Sequence, residues 1–192
     1  QIINPSDNYF ETIMVDITHR CNMHCNNCYL PNRDIADMDI PRLLACLKQL
    51  PKRTNIRLAG GEPTLRHDLP EIITSIKQLG HRVVLLTNGL RLAQESYVNR
   101  LHQAGLRHVY ISFNGADKDH WYQQIDQLAC AQKKQQAIHN VLGRSMILNT
   151  GTILIKGVNE DAVQRTLDII GVYQPRHALL RFKNIGALGR YD

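Results

Sequence analysis

The chain lacks what a membrane or an oxidising exterior would require. Among its 192 residues no apolar run approaches the ~20 needed to cross a bilayer, and no signal-peptide pattern opens it. Five cysteines, an odd number, do not read as a framework of disulfides. Aromatic residues are few, at 6%, and the lysines and arginines behind the net charge of +6 are scattered rather than interleaved with them. The densest pair, Lys133-Lys134, falls in a Gln-rich stretch patterned as a solvated helix face. An anionic partner is therefore permitted by charge, while nucleic acid is not indicated. No linker or shift of composition divides the chain, so residues 1–192 are expected to form a single core domain, alone or within a longer protein.

What is present is a regular alternation. Strand-type runs fall at Thr12–Thr18, Asn55–Leu58, Arg82–Thr87, His108–Phe113, Asn149–Lys156 and Ala178–Lys183. Helical patterns fill the intervals: Pro41–Leu50, Leu69–Leu79, Leu92–Ala104, a longer one over Trp121–Leu142, and Glu160–Tyr173. Runs such as Val83-Val84-Leu85-Leu86 are apolar without alternation, as strands covered on both faces are. Six such repeats predict an α/β fold with a parallel sheet, a partial (β/α)6 barrel two units short of closure. The lateral gap is expected to be covered in use by a large substrate, a partner subunit or further chain.

Reactive groups in this architecture gather at the carboxyl ends of strands. There the sequence places Cys21, Cys25 and Cys28, spaced C-x3-C-x2-C after the first strand, and Gly60-Gly61-Glu62-Pro63 after the second. Three thiolates on one short loop converge on a common centre. A closed zinc site needs a fourth ligand, for which His19 or His24 is at hand, whereas three cysteines on an iron–sulfur cubane leave one iron open. Cys46 and Cys130 fall among leucines and alanines and are expected in the core. The two glycines would let a small ligand lie against bare backbone.

Together, in this order, the two motifs resemble the radical S-adenosylmethionine (SAM) superfamily, and the look of most of the chain is nearest the cyclic pyranopterin synthase and SPASM-type branch. The resemblance implies a 4Fe–4S cluster on Cys21, Cys25 and Cys28, with SAM chelating the open iron. It implies that Gly60, Gly61, Glu62 and Pro63 hold the methionine part, with the Glu62 carboxylate on its ammonium, and that Asn27 reads adenine through its backbone. Tyr29 offers an aromatic face; Ser112 and Asn114 match the ribose or methionine contacts; Ile155 matches the apolar residue against adenine. Arg57, Thr87 and Asn88 are candidates to face the substrate. Met14 and Ile147 stand where the pyranopterin enzyme carries Arg and Lys, and its second set of cluster cysteines has no counterpart.

The activity so implied is reductive cleavage of SAM to a 5′-deoxyadenosyl radical that takes hydrogen from a small molecule or a peptide. It further implies an electron donor such as flavodoxin or ferredoxin, and a reducing cytoplasm. An activating enzyme acting on a partner protein is a second reading of the same residues. A zinc or iron–sulfur interaction domain is a third.

Overall fold

The computed structural model describes residues 11–30, 32–175 and 178–184. Six strands, β1 (Thr12–Thr18), β2 (Asn55–Gly60), β3 (Arg82–Thr87), β4 (His108–Ser112), β5 (Ile147–Leu154) and β6 (Ala178–Asn184), lie side by side in chain order. Every neighbouring pair is parallel, in registers such as Met14 with Arg57 and Gly151 with Arg181. Among the described residues β1 and β6 each pair on one side only, so the sheet curls without closing. This is the expected partial barrel.

Helices α1 (Ile40–Leu47), α2 (Leu69–Gln78), α3 (Glu95–Gln103), α4 (Asp119–Asp126), α5 (Ala131–Leu142) and α6 (Ala162–Gly171) form the crossovers. Asp39 starts α1 by accepting a hydrogen bond from the Arg42 N–H at 2.9 Å, with Pro41 in the first turn. Two expected helices are interrupted. The run from Leu92 begins as a 3-10 turn (Leu90–Ala93) behind Gly89, and α3 starts only at Glu95. The run Trp121–Leu142 breaks where Gln127 turns left-handed (φ 56°), and Asp119 in the first turn of α4 accepts from the Ala131 N–H at 2.8 Å to start α5.

The two faces of the sheet do different work. Val15, Ile17, Ile56, Leu58, Val83, Leu85, Val109, Ile111 and Leu148 face outward and form one core with Ile72, Ile73 and Ile76 of α2, Leu101 of α3, and Ile138 and Val141 of α5. Cys130 joins this core as expected, but Cys46 does not: it is exposed, because α1 buries the line through Leu43 and Leu47 instead. Lys134 also departs from its expected solvated face and is fully buried. Alternate residues, among them Met14, Ala59, Leu86, Tyr110 and Gly151, turn inward and line a cavity. No helix among the described residues is long and apolar enough to cross a membrane.

The outward core makes a direct prediction. Leu85 is fully buried at the middle of β3. Leu85→Ala should lower unfolding stability by about 2–5 kcal/mol in urea titrations, with the slope unchanged; a loss under about 0.5 kcal/mol, typical of a surface site, would contradict this packing.

Candidate functional site

At the carboxyl ends of the strands lies a cavity of about 640 Å³. The cysteine loop after β1, Gly60 and Gly61 at the end of β2, Thr87 and Asn88 at the end of β3, and Ser112 and Asn114 of β4 and its end all reach its wall.

Gly60 and Gly61 are there for a closer neighbour than a ligand. A Cβ on Gly60 (φ +118°) would fall 2.1 Å from the Thr18 carbonyl oxygen, and one on Gly61 would fall 2.3 Å from that of Arg20. Without side chains the two strand ends zip together: Gly61 N–H donates to the Thr18 carbonyl and Glu62 N–H to that of Arg20, each at 2.8 Å. The residue after Arg20 is Cys21. Thus the glycines seat the root of the cysteine loop.

Glu62 continues this bracing. It is fully buried, and its Oε1 accepts from the Thr64 N–H (3.0 Å), the Thr64 hydroxyl (2.6 Å) and the Thr87 hydroxyl (2.7 Å), while Oε2 accepts from the Asn88 N–H (2.7 Å). Asn88 in turn donates from Nδ2 to Asn22 Oδ1 at 2.8 Å, which ties the end of β3 to the cysteine loop. The expectation that this carboxylate faces a bound ammonium is corrected here: four protein donors hold it behind the cavity wall. Pro63, buried beside it, does not line the cavity either.

The far side of the cysteine loop is pinned to the end of α4. Asn26 N–H donates to the Ile125 carbonyl (3.0 Å), Asn26 Nδ2 to that of Gln124 (2.7 Å), and Gln127 Nε2 to Asn26 Oδ1. Arg33 closes the loop by donating to the Met23 carbonyl. The loop is therefore held from both ends, with all three thiols along the cavity.

Two buried charges stand beside these thiols, and neither was marked by its sequence context. Asp126 is 2% exposed; one carboxylate oxygen accepts from Asn114 Nδ2 at 2.9 Å, and the other is buried with no partner among the described residues. Lys134 donates from Nζ to the Ser112 carbonyl at 2.7 Å and lies over the Tyr122 ring. Both line the cavity. Burial, and then the negative charge of Asp126, push the Cys25 thiol far above the usual thiol range. Burial likewise raises Cys21. Such thiols give up their protons to a metal cation, which removes the penalty on the anionic form.

Of the remaining expected residues, Asn27, Tyr29, Thr87, Asn88, Ser112 and Asn114 line the cavity. Tyr29 donates its hydroxyl to Asp16 Oδ1 and to the Gly60 carbonyl, each at 3.3 Å. Ile155 is a correction: β5 ends at Leu154, Asn159 Oδ1 caps the Ile155 N–H at 2.8 Å, and the side chain is buried away from the cavity, leaving Ile153 on the wall. Arg57 lies below the wall, on the inner face of β2.

The donor set fits an iron–sulfur cluster: three cysteine thiols line one cavity, the donor chemistry such clusters take.

A parallel partial barrel with a three-thiol loop at its strand ends defines a class of cofactor-binding α/β domain. Within that class the chain belongs to the Radical SAM superfamily, whose family model matches residues 15–170. The family implies SAM and an iron–sulfur cluster. Over 160 residues the chain is 34% identical to the 7,8-dihydro-6-hydroxymethylpterin dimethyltransferase of Methanocaldococcus jannaschii, a match covering 78% of this chain and 31% of the relative. Over 175 residues it is 28% identical to the GTP 3',8-cyclase of Paracoccus denitrificans, covering 85% and 50%. The chain thus spans 31% and 50% of the length of these two curated relatives. The fold is shared with Streptococcus suis SuiB bound to S-adenosylmethionine, at a TM-score of 0.73 and 13% identity over 91% of this chain and 41% of that one.

The bracing role assigned to Glu62 is testable. In Glu62→Gln an amide N–H would face the Asn88 N–H, donor against donor. Stability should fall by about 1–3 kcal/mol, read from the urea midpoint; an unchanged midpoint would put the carboxylate outside this network.

Proposed function

We propose that this chain is the catalytic core of a radical SAM enzyme acting on a small molecule. The observation that carries this reading is the convergence of Cys21, Cys25 and Cys28 with the glycine pair on one cavity, in a chain of this superfamily. The three thiolates would hold a 4Fe–4S cluster, which with SAM on its remaining iron supplies a 5′-deoxyadenosyl radical when bound.

The chain's own residues then bind, orient and shield. With Glu62 withdrawn, the backbone of Gly60 and Gly61 and the unpartnered oxygen of Asp126 are the acceptors available to an ammonium group. Lys134, buried across the cavity from water, is the cation suited to a carboxylate. Asn27 and Ile153 flank an adenine, with Ser112 and Asn114 as polar contacts nearby. Thr87 and Asn88, fixed by Glu62, form the wall against which a substrate rests. The cavity mouth keeps stray hydrogen donors from the reacting carbon once substrate fills it.

The small-molecule reading is favoured over a peptide because the pterin dimethyltransferase and the cyclase are matched in sequence, whereas SuiB is matched in fold alone. Turnover requires an outside electron donor of the flavodoxin or ferredoxin kind, and a reducing compartment, the cytoplasm, suits the exposed cluster.

Anaerobic reconstitution should load a cluster that cleaves SAM to 5′-deoxyadenosine under a strong reductant. Cys21→Ala, Cys25→Ala or Cys28→Ala should each abolish this product by chromatography, while Cys46→Ala and Cys130→Ala should retain the cluster. Loss of the cluster in both controls, or cleavage surviving in a loop variant, would refute the ligand set.

A further inference from the structure

The cofactor contacts run from the β1–β2 side of the cavity to Ser112 at the end of β4 and Ile153 on β5, and leave Tyr110, Gly151, Arg181 and Lys183 without a role. Their side of the cavity is built from cations and hydroxyls. Arg181 and Lys183 of β6 line it, and Tyr110 of β4 crosses it. The phenol reaches over β5 because Gly151 has no side chain: a Cβ there would fall 1.6 Å from the Tyr110 hydroxyl oxygen. Gly151 is paired in register with Arg181, so the hydroxyl is delivered next to the strand that carries the guanidinium.

Lower on the inner face, at the level of β2 and β4, are Arg57 and His108. Arg57 Nε and His108 Nε2 are both buried with no hydrogen-bond partner among the described residues. Burial holds His108 below the ordinary imidazole range against an opposing hydrogen bond to Asn149, and the positive charges of Arg57 and Arg181 add to the lowering. Both guanidiniums therefore act on one imidazole across the interior of the barrel.

Among the described residues no carboxylate pairs with Arg57, Arg181 or Lys183. The ion pairs among the described residues are Arg20–Asp37, Arg66–Asp68, Lys118–Asp117, Arg144–Glu95 and Arg165–Asp117, none of which involves Arg57, Arg181 or Lys183. Asp16, the inner-face carboxylate of β1, accepts from the Tyr29 hydroxyl, and Asp126 sits at the thiols. Arg181 and Lys183 are solvent-exposed along this wall, while the Arg57 Nε and His108 Nε2 below them are buried without partners, so the wall is cationic and open to an anion that enters the cavity.

We propose that this wall binds an oxyanion carried by the substrate, a phosphate or a carboxylate, through Arg181 and Lys183, with the Tyr110 hydroxyl as a further donor and the positive charge of Arg57 beneath the wall adding to the attraction. It rests on the reading of the cavity as an active site and adds the substrate's chemical class and its orientation. The anion lies against β4–β6, and the carbon that reacts points toward the cysteine loop.

Equilibrium dialysis of the cluster-loaded full chain, anaerobic and oxidised, tests this with labelled pyrophosphate in one arm and labelled succinate in the other. The wild type should bind at least one saturably, and the arm that binds separates a phosphate from a carboxylate. Arg181→Gln should weaken that binding about tenfold or more, as loss of a charge-assisted contact does, and Arg57→Gln should weaken it by less. Arg57→Gln with Arg181→Gln should remove it, and Arg100→Gln, an exposed change on α3, should leave it intact. No saturable binding of either anion, or equal binding by the double variant with its circular dichroism unchanged, overturns the proposal. Reductive SAM cleavage by the wild type is assayed in parallel. Its failure would count against the radical SAM reading while leaving the anion titration to stand or fall by itself.

Discussion

The site depends on one backbone contact. The Gly60–Gly61 turn presses against Thr18–Arg20 so closely that no side chain fits between them, and two hydrogen bonds of 2.8 Å close the seam. This joins the end of β2 to the last residues before Cys21, so the position of the first thiol follows from the sheet itself. Glu62 extends the seam to β3 by collecting the hydroxyl of Thr87 and the N–H of Asn88. Asn88 then returns to the cysteine loop through Asn22. A loop rich in asparagine and short of apolar residues has little core of its own, and it is ordered by strand ends that are rigid.

Charge is arranged to suit what the loop would carry. Thiols at the cavity are buried beside Asp126, conditions that disfavour thiolate in the bare protein. A polynuclear iron centre reverses that preference by bringing positive charge to the sulfurs, so metal loading and the order of this corner are coupled. Lys134, fully buried and bonded to a strand carbonyl, supplies the opposite charge nearby. The opposite wall, around Arg181 and Lys183, is cationic without such a counterweight among the described residues.

Much of this was legible in the residues. The strands were placed within two residues at nearly every end, because unbroken apolar runs bounded by glycine or polar turns have few other structures available. The cysteine spacing and the glycine pair located the cavity for the same reason: both follow strands, and a parallel sheet puts all such turns on one rim. What was not legible depends on contacts between distant segments. Glu62 reads as a ligand until its four donors are seen, two of them from β3 and its end. Ile155 lost its place to Ile153 because a cap from Asn159 ends β5 at Leu154, two residues before the expected Lys156. Asp126 and Lys134 lie on separate helices, and no local pattern distinguishes them from solvated charges. Alternation along β4, β5 and β6 would have found Tyr110, Gly151 and Arg181 on one face, a period-2 signal masked by the apolar character of the strands.

The central claim is that three thiolates of this chain leave one iron of a cluster open to SAM. Mössbauer spectra of the chain reconstituted with 57Fe, recorded oxidised with and without SAM, address it directly. The account predicts that a single iron site changes its isomer shift on addition of SAM while the other sites keep theirs. Spectra identical with and without SAM, from a chain loaded with intact cluster, would contradict it.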